Sequence, residues 1–510
     1  MTPKSKRIAS NSLMLFVRMM VITAINLYAV RLLLRDLGQE DYGTFNAVAG
    51  VVLASSFITT TLAVSIQRFY SYTLGKGENN QLSTIFSASI NIILVLSIAL
   101  LFIFETIGLW FVNNELSIPP ERLVAANWVF HFSLITLWFG LLQLPFTAAI
   151  FAQEEMGAFA LISLTECMLR LGVIFFIGIT AMDGLIFYSI GLSAVAVIIF
   201  LLYAFIVHRR YPEYKYCRKI PKETYRSLLA FSGWSMYSSL AAVGLTQGIT
   251  ILLYMFFGPI ATAAYAIAQQ VFHAFTALSN SIAVAFRPAM VKSFAEKDYI
   301  SLNKMFSANN KFILYLLLMV AIPLILELRT IFDWWLGNVS EEAIIYTRLT
   351  IIYMLCFSMH NPVTTIVHST GQLKYYSLFV DSIVILCLPA TWLAFHLGAS
   401  SEISIILMIA MCIISHLVRL VILRRQYPSF SYAPYLSEII LRGLFVAVCT
   451  FFVVYLVHQA LHPGIVRLVT VFASSCITML LTVYFLGLSA KEQQTLCHFL
   501  MQRMNKYSEN

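Results

Sequence analysis

The chain has 510 residues, of which 60% are hydrophobic and only 11% are charged, and its formal net charge is +9. This composition excludes an ordinary soluble domain, in which about a quarter of the residues are charged. Apolar runs of about 18 or more residues recur along the chain, and each can cross the roughly 30 Å hydrocarbon core of a bilayer only as a helix, because a lone strand would leave its backbone groups unsatisfied. The sequence therefore predicts an all-α integral membrane protein.

The first helix is predicted to follow a basic N-terminus. Lys4, Lys6 and Arg7 precede a long apolar run that has no small-residue cleavage site. This pattern is typical of a retained first span rather than of a removed signal peptide, and it predicts a cytoplasmic N-terminus. The eight cysteines show neither metal-ligand spacing nor a disulfide framework, so we expect no metal site.

About 14 apolar segments are long enough to cross a bilayer. They cover approximately residues 11–34, 43–65, 84–111, 123–150, 158–180, 184–207, 228–256, 260–285, 311–336, 344–368, 376–397, 402–423, 440–460 and 466–487. With this even number, both termini lie on one side. The loops of that side hold most of the lysines and arginines, whereas the opposite loops hold only Arg35, Arg122 and Arg467. The positive-inside rule therefore predicts cytoplasmic N and C termini.

A basic segment, His208–Arg226, separates two long apolar tracts and predicts the domain organisation. Residues 1–207 form an N-terminal half of six helices, residues 208–227 a cytoplasmic linker, residues 228–423 a C-terminal half of six helices, and residues 424–487 two additional helices. Residues 488–510 open with a capping box, Ser489 with Glu492, and continue with apolar residues at helical spacing. They predict an amphipathic cytoplasmic tail on the membrane surface, and a frayed tail is the alternative.

Short motifs recur in the same order in both six-helix halves, at nearly one shift in residue number. The pairs are Leu82/Phe86 with Leu302/Phe306, Gly38/Phe45 with Gly258/Tyr265, and Pro145/Thr147 with Pro362/Thr364. An even number of spans in each copy gives both copies the same orientation. Such parallel repeats are a transporter architecture with the substrate site between the halves, and two ancestral halves retained only for folding are the alternative.

Several longer segments carry a resemblance to a known family. They are LGQEDYGTF at Leu37–Phe45, QRF at Gln67–Phe69, FSGWSMYSSLA from Phe231, FFGPIATAAYAIAQQV from Phe256 and AFRPAMVKSFAEKD from Ala285. As a set they resemble the polysaccharide-exporter branch of the multidrug/oligosaccharidyl-lipid/polysaccharide flippase superfamily. The resemblance covers spans one to twelve. It implies transport of undecaprenyl-diphosphate-linked oligosaccharides, such as O-antigen or capsule repeat units, across the bacterial inner membrane. The last two spans exceed the twelve-helix core; the lipid II flippases of the superfamily also have fourteen, without a close motif match here.

Charged residues inside a membrane cost about 2.5 to 3.5 kcal/mol each and are functional candidates by default. In this chain they are Arg18, Arg31, Glu105, Glu166, Arg170, Asp333, Arg348, Asp381 and Arg419. Arg18 lies well inside the first span, and an arginine fork suits a diphosphate because it donates two parallel hydrogen bonds. We expect Arg18 to contact a diphosphate or a sugar, with pairing to a neighbouring carboxylate as the alternative.

The other membrane charges have simpler interpretations. Arg31 lies on a different face of the first helix from Arg18, which favours snorkelling to the outer surface. Glu166 and Arg170 are four residues apart and can neutralise each other. Asp381 has no obvious local partner and is the candidate for coupling to a proton or sodium gradient, and a buried interhelical pair is the alternative.

The eighth predicted span carries a polar stripe. Gln269, His273, Thr276, Asn280 and Arg287 lie close to one line along a helix. A stripe of this length in a membrane needs polar partners or water. It predicts the lining of a substrate cavity, and interhelical hydrogen bonding is the alternative.

Absent motifs limit the function. The sequence has no GxxxxGK[ST] phosphate loop, no HExxH and no large soluble loop, so we expect a secondary transporter working by alternating access rather than an enzyme, without cofactors other than a coupling ion. Its expected partners are membrane lipid, the lipid-linked oligosaccharide, a polysaccharide polymerase and glycosyltransferases, and no nucleic acid. The alternatives are a cation-coupled multidrug extruder of the same fold and a membrane glycan polymerase, against which the short outer loops argue.

Overall fold

The computed structural model describes residues 3–75, 79–153, 155–337, 340–370, 373–490 and 492–494. The protein is 89% helical, and the described residues contain no strand. The all-α prediction is therefore confirmed. The predicted tail beyond residue 494 lies outside the described residues.

The helices follow one another with short connections. In the first part of the chain they are α1 (Pro3–Asp36), α2 (Gly38–Leu53), α3 (Ser56–Gly75), α4 (Asn79–Ile103), α5 (Leu109–Asn114), α6 (Pro120–Leu142), α7 (Leu144–Ala152), α8 (Met156–Ile177), α9 (Gly184–Arg210) and α10 (Lys222–Ala295). They continue as α11 (Tyr299–Trp335), α12 (Glu341–Ser358), α13 (His360–Thr370), α14 (Leu373–Tyr376), α15 (Ser382–His396), α16 (Ile403–Gln426), α17 (Tyr432–Pro434), α18 (Arg442–Ala460) and α19 (Ile465–Thr482). Four π-helical segments extend some of these helices: Phe104–Gly108, Ser377–Asp381, Tyr435–Leu441 and Val483–Gly487.

The chain divides into two compact units. Unit 1 comprises Met1–Gln270, Ser340–Tyr346 and Ser377–Met408, and unit 2 comprises Val271–Val339, Thr347–Tyr376 and Ile409–Asn510. Among the described residues, 11 helices are long and apolar enough to cross a membrane, or 12 if the bent pair α2–α3 counts as one span. The multi-pass prediction is thus confirmed at this coarser level, while the fourteen spans, the repeat and the sidedness of the termini stay predictions.

One of these candidates, Met236–Ala283 within α10, is 48 residues long. At about 1.5 Å per residue it is more than twice as long as a bilayer core is thick. The helix breaks at Gly258, whose φ of 81° and ψ of −168° are not helical. A positive φ of this kind favours glycine because it has no Cβ. The break lies between two segments that the hydropathy pattern predicts as separate spans, 228–256 and 260–285.

Helix α2 lies against the broken point of α10 in unit 1. A Cβ at Gly43 would lie only 1.9 Å from the carbonyl oxygen of Pro259, so the close approach requires glycine at this position. One residue along, the hydroxyls of Thr44 and Tyr254 are 3.2 Å apart. The QEDYGTF segment therefore has a packing role, since it holds α2 against the helix break.

The linker after α9 is an integral part of unit 1 rather than a plain loop. Tyr214 is only 2% exposed, and its ring packs edge-on against Tyr70 at a centroid distance of 5.2 Å. The backbone N–H of Cys217 donates to Ser87 Oγ at 2.7 Å. Burial raises the pKa of the Tyr214 phenol, so this side chain stays neutral in the core. The basic residues of the linker thus lie on a segment that packs against the core of unit 1.

In unit 2, α11 is fastened to the last two helices by a buried carboxylate. Glu327 is fully buried; its Oε1 lies 2.7 Å from His458 Nδ1 of α18, and its Oε2 accepts from Arg467 Nη2 of α19 at 3.0 Å. Near the start of α11, Lys311 Nζ donates to both carboxylate oxygens of Glu492 at 2.8 and 2.9 Å. The C-terminal helix pair is therefore a structural part of unit 2.

The capping box predicted at the start of the tail is formed. Ser489 N donates to Glu492 Oε2 at 2.7 Å, and Glu492 N donates to Ser489 Oγ at 3.4 Å. Burial alone would raise the pKa of Glu492, but the hydrogen bonds from Lys311 and Ser489 hold it below its usual value. The carboxylate thus serves as a helix cap and an ion-pair partner at once.

Candidate functional site

Arg18 of α1 is half-buried in unit 1 and has no acidic partner among the described residues. Its Nη1 donates to Ser163 Oγ at 3.0 Å, and its guanidinium lies 4.6 Å from the centroid of the Phe159 ring. Within the described residues no carboxylate forms an ion pair with it, and its buried Nε has no hydrogen-bond partner there. The geometry therefore disfavours the alternative of a neutralised pair, and the diphosphate or sugar contact stays a prediction.

The other charges of this region behave as their spacing indicates. Arg31 is exposed, as a snorkelling side chain would be. Arg170 Nη2 donates to Glu166 Oε1 at 2.6 Å, so the two charges of α8 neutralise each other. Neither position offers a reason to assign it to a substrate.

Asp381 lies at the end of a π-helical segment and is 8% exposed. Its carboxylate accepts a hydrogen bond from Ser238 Oγ, which is also 3.1 Å from Ser377 Oγ. Beside it, the hydroxyls of Tyr237 and Ser382 are 2.6 Å apart. Carboxylate and hydroxyl oxygens are suitable ligands for a hard cation, and they can also share a proton.

The predicted stripe of α10 is divided between the two units. Gln269 belongs to unit 1, where it is half-buried and within hydrogen-bonding range of Tyr265. His273 is exposed, whereas Thr276 Oγ1 donates to the Phe272 carbonyl of its own helix at 2.8 Å. Thr276 therefore has its hydroxyl satisfied locally and offers little to a ligand.

The lower part of the stripe faces α13 within unit 2. Asn361 Nδ2 of α13 donates to Asn280 Oδ1 at 3.4 Å and to Ser279 Oγ at 3.3 Å. Arg287 is exposed and close enough to His368 to interact with it electrostatically. Two predicted site residues, Asn280 and Arg287, thus both lie close to side chains of α13 in unit 2. Arg18, Gln269 and Asp381 belong to unit 1.

Unit 2 also contains a buried arginine whose role the sequence does not indicate. Arg419 of α16 is 7% exposed. Its Nε donates to the Tyr376 hydroxyl at 2.9 Å and its Nη1 to Ser415 Oγ at 2.8 Å. No carboxylate of the described residues pairs with it. Taking such a cation out of water is costly unless an opposite charge is available, so Arg419 is a candidate for binding an anion.

Two histidines extend the environment of Arg419. Its Nη1 also donates to His360 Nε2 at 3.3 Å, and the His360 ring stacks on His416 with centroids 5.1 Å apart. His416 Nε2 lies 2.8 Å from the hydroxyl of Tyr435. The buried Nδ1 atoms of His360 and His416 have no hydrogen-bond partner among the described residues. We call Arg419, His360, His416, Tyr376 and Tyr435 the Arg419 cluster.

The sequence holds a partial signal for this cluster. Cys412, Ser415, His416 and Arg419 follow one another at intervals of three, one and three residues, which lie on one face of a helix. The partners on α13, α14 and the π-helical segment of Tyr435 are far away in the chain. A helical face with an arginine is visible in the sequence, but the absence of an acid beside it requires the structure.

A sequence profile described as polysaccharide biosynthesis protein matches residues 8–294, more than half of the chain. The chain belongs to this family. The resemblance noted in the sequence is therefore confirmed. Among curated protein sequences, none matches the chain.

Solved structures of transporters share the fold at low sequence identity. The lipid II flippase MurJ in an inward closed conformation is 15% identical over 92% of this chain and 97% of its own, with a TM-score of 0.68. A multidrug resistance MATE family transporter of the MOP superfamily, inward-facing, is 12% identical over 82% of this chain and 100% of its own, with a TM-score of 0.60. The eukaryotic MATE transporter AtDTX14 is 13% identical over 83% of this chain and 97% of its own, with a TM-score of 0.58. The chain thus has the fold that these MOP superfamily flippases and transporters share.

Proposed function

We propose that this protein flips undecaprenyl-diphosphate-linked oligosaccharide repeat units, of O-antigen, capsule or exopolysaccharide, from the cytoplasmic to the periplasmic leaflet by alternating access. The observation that carries the proposal is Arg419, a buried cation without an acidic partner among the described residues. A diphosphate supplies the missing negative charge, and the guanidinium fork can donate to two of its oxygens. The family to which the chain belongs makes polysaccharides the expected cargo.

The other candidate residues have supporting roles in this proposal. Arg18 of unit 1 is a proposed contact for a diphosphate or a sugar, since its guanidinium has no carboxylate partner among the described residues. The exposed His273, Asn280 and Arg287, and separately Gln269 of unit 1, are proposed to offer hydrogen bonds to sugar hydroxyls. Thr276 contributes least, because its hydroxyl is satisfied by its own helix.

The proposed function also implies how many times the chain crosses the membrane and on which side its termini lie. Counting α1 as a span and Met236–Ala283 as two crossings, because Gly258 divides it, would raise the 12 candidate spans to the fourteen that hydropathy predicts. Both termini and the basic linker would face the cytoplasm of a bacterial inner membrane. A polysaccharide polymerase and glycosyltransferases are the partners expected for such a step.

Asp381 is the proposed site of ion coupling. Its carboxylate accepts from Ser238 Oγ, which is itself 3.1 Å from Ser377 Oγ in unit 1, an oxygen-rich setting in which sodium or a proton could bind. An Asp381→Asn variant keeps the shape and the hydrogen bond while it removes the charge. It should lose the dependence of transport on an imposed gradient.

A cation-coupled multidrug extruder is the second candidate, because multidrug MATE transporters share the fold. Such a protein needs acidic groups to hold cationic drugs, whereas the buried residue Arg419 is cationic. The two functions therefore predict opposite ligand charges.

The test is export of surface polysaccharide in the producing cell after deletion of this chain. Wild type should restore export, whereas Arg419→Ala and Arg18→Ala at matched membrane abundance should leave lipid-linked repeat units on the cytoplasmic side. Arg31→Ala is the matched control, because this exposed arginine has no assigned ligand. Normal export by both site variants, or unchanged glycan with altered sensitivity to cationic drugs, would contradict the flippase function.

A further inference from the structure

We propose that His416 is a proton-binding site that changes the charge of the Arg419 cluster as the cluster binds and releases an anion. The proton reaches it from a cavity through Tyr435. This inference rests on the proposed function only in that the anion is the diphosphate of the substrate. It assigns to unit 2 a proton site distinct from Asp381.

The first step concerns which histidine can take up a proton. Arg419 Nη1 donates to His360 Nε2 at 3.3 Å, so this nitrogen acts as an acceptor and the neutral ring carries its hydrogen on Nδ1. If His360 were protonated, its Nε2–H would face the Nη1–H of Arg419, so that two donors and two positive charges would lie side by side. Arg419 therefore keeps His360 neutral.

His416 does not have this restriction. Its Nε2 is 2.8 Å from the Tyr435 hydroxyl, which can donate to the neutral ring or accept from the charged one. The bond therefore persists in both protonation states. His416 Nδ1 has no partner among the described residues, so it can carry the hydrogen of the neutral ring, and a proton that arrives through Tyr435 is added at Nε2.

The second step concerns access. Tyr435 lines a cavity of about 1050 Å³ in unit 2, together with Lys304, Glu438 and Glu492. This cavity lies where the charge bias of the loops predicts the cytoplasmic surface. Tyr435, which lines the cavity, is hydrogen-bonded to His416, and the His416 ring stacks on His360, which accepts from Arg419. Because the Tyr435 hydroxyl can both donate and accept, it can pass a proton between the cavity and His416.

The third step is the electrostatic link between proton and anion. Among the described residues, His416 contacts His360 of α13 and Tyr435, and one step further lie Arg419 and Cys412 of its own helix α16, both in contact with His360, and Tyr376 of α14, in contact with Arg419. Without an anion, a charged His416 would add a second positive charge to a cluster that has no acid among the described residues. With a diphosphate beside Arg419, the same charge is stabilised. Anion binding and proton binding therefore favour each other, and the coupling is reciprocal.

The test measures proton uptake during binding of a defined probe to the purified full-length protein in detergent. The probe is a farnesyl diphosphate sugar, because a diphosphate diester does not titrate near neutral pH. Calorimetry in two buffers with different heats of ionisation should show close to one proton taken up per probe when His416 starts out neutral. The affinity should fall as the pH rises between the pKa of His416 in the free protein and its higher value in the complex, by up to roughly tenfold per pH unit.

Three variants separate the steps. His416→Gln can still hydrogen-bond to Tyr435, and it should bind the probe with no proton uptake and with an affinity independent of pH. Tyr435→Phe should retain the proton count at equilibrium but slow proton exchange in a stopped-flow measurement with a pH dye. His131→Gln is the matched control, because this exposed histidine pairs with Glu105 in unit 1.

The outcomes distinguish this inference from the proposed function. Probe binding without proton uptake in the wild type, or an unchanged pH dependence in His416→Gln, overturns the inference and leaves the flippase function standing. If the wild type does not bind the probe at all, the proposed function fails and the inference fails with it. If His416→Gln does not purify as a folded protein, His416→Asn provides the decisive measurement of proton uptake, and Tyr435→Phe tests only the route of the proton.

Discussion

Gly43 allows a direct test of the contact between α2 and the break in α10. In a Gly43→Ala variant, the new Cβ would lie 1.9 Å from the oxygen and 2.6 Å from the carbonyl carbon of Pro259. Ordinary van der Waals contact begins at 3.4 Å, so the helices would have to separate by more than 1 Å. The atoms that the methyl group meets belong to the backbone, which cannot rotate away as a side chain would.

The magnitude follows from two opposing effects. Overpacking of a core typically costs about 1 to 3 kcal/mol, and the rigid contact favours the upper end. Alanine gains up to about 1 kcal/mol over glycine inside a helix. We therefore expect a net loss of roughly 2 kcal/mol, measured as a lower midpoint of unfolding in mixed detergent and SDS micelles.

The matched control is Gly244→Ala in α10, where a Cβ would meet nothing within 4 Å. This variant should be as stable as the wild type or slightly more stable. If Gly43→Ala unfolds at the same midpoint as Gly244→Ala, then α2 is not held against Pro259, and the interpretation of the QEDYGTF segment as a packing element is wrong.

Three further predictions concern unit 2. Glu327→Gln should cost about 3 kcal/mol or more in the same unfolding assay, because Arg467, whose side chain is mostly buried, loses its counter-charge; Glu296→Gln, which truncates the exposed pair of Lys292 with Glu296 outside the predicted spans, should cost less than about 1 kcal/mol. The lowered pKa of Glu492 means that its pairing with Lys311 stabilises the protein above the usual carboxyl pKa of 4.5 and is lost as the pH falls through the folded value. Glu492→Gln should therefore lower the unfolding midpoint at neutral pH and reduce its fall in acid; an unchanged acid limb would contradict this. Arg419→Lys keeps the charge but loses the fork, so probe affinity should fall by roughly tenfold or more, since a charge-assisted hydrogen bond contributes about 1.5 to 3 kcal/mol; equal affinity would argue against bidentate binding.

The features that the sequence predicts correctly depend on neighbours in the chain. Composition and hydropathy indicate a helical membrane protein, and the loop around Gly258 is where α10 breaks. The ion pair of Glu166 with Arg170 and the capping box of Ser489 with Glu492 both form. Each of these depends on groups three or four residues apart, or on a run of similar residues, which a sequence displays directly.

The features that escape prediction join residues that are distant in the chain. Arg419 is visible as a membrane charge, but its contact with Tyr376 spans 43 residues and that with His360 spans 59. The partner of Lys311 is 181 residues away. Tyr214 lies in a basic segment that composition describes as a loop, yet its ring is part of the core of unit 1. Burial and the absence of a counter-charge depend on packing between helices, for which spacing gives no rule.

The two ion-pair attachments of α11 have a mechanical consequence. Lys311 binds Glu492 near one end of the helix and Glu327 binds His458 and Arg467 near the other, so the two attachments are separated by about 24 Å at 1.5 Å per residue. A rod held at one point can pivot about that point, whereas a rod held at two distant points cannot turn unless its support turns too. The last two helices, together with the segment around Glu492 that follows them, therefore hold α11 at two levels. We expect any tilt of α11 to carry α18 and α19 with it, so spin labels on α11 and α18 should keep a constant separation through the transport cycle.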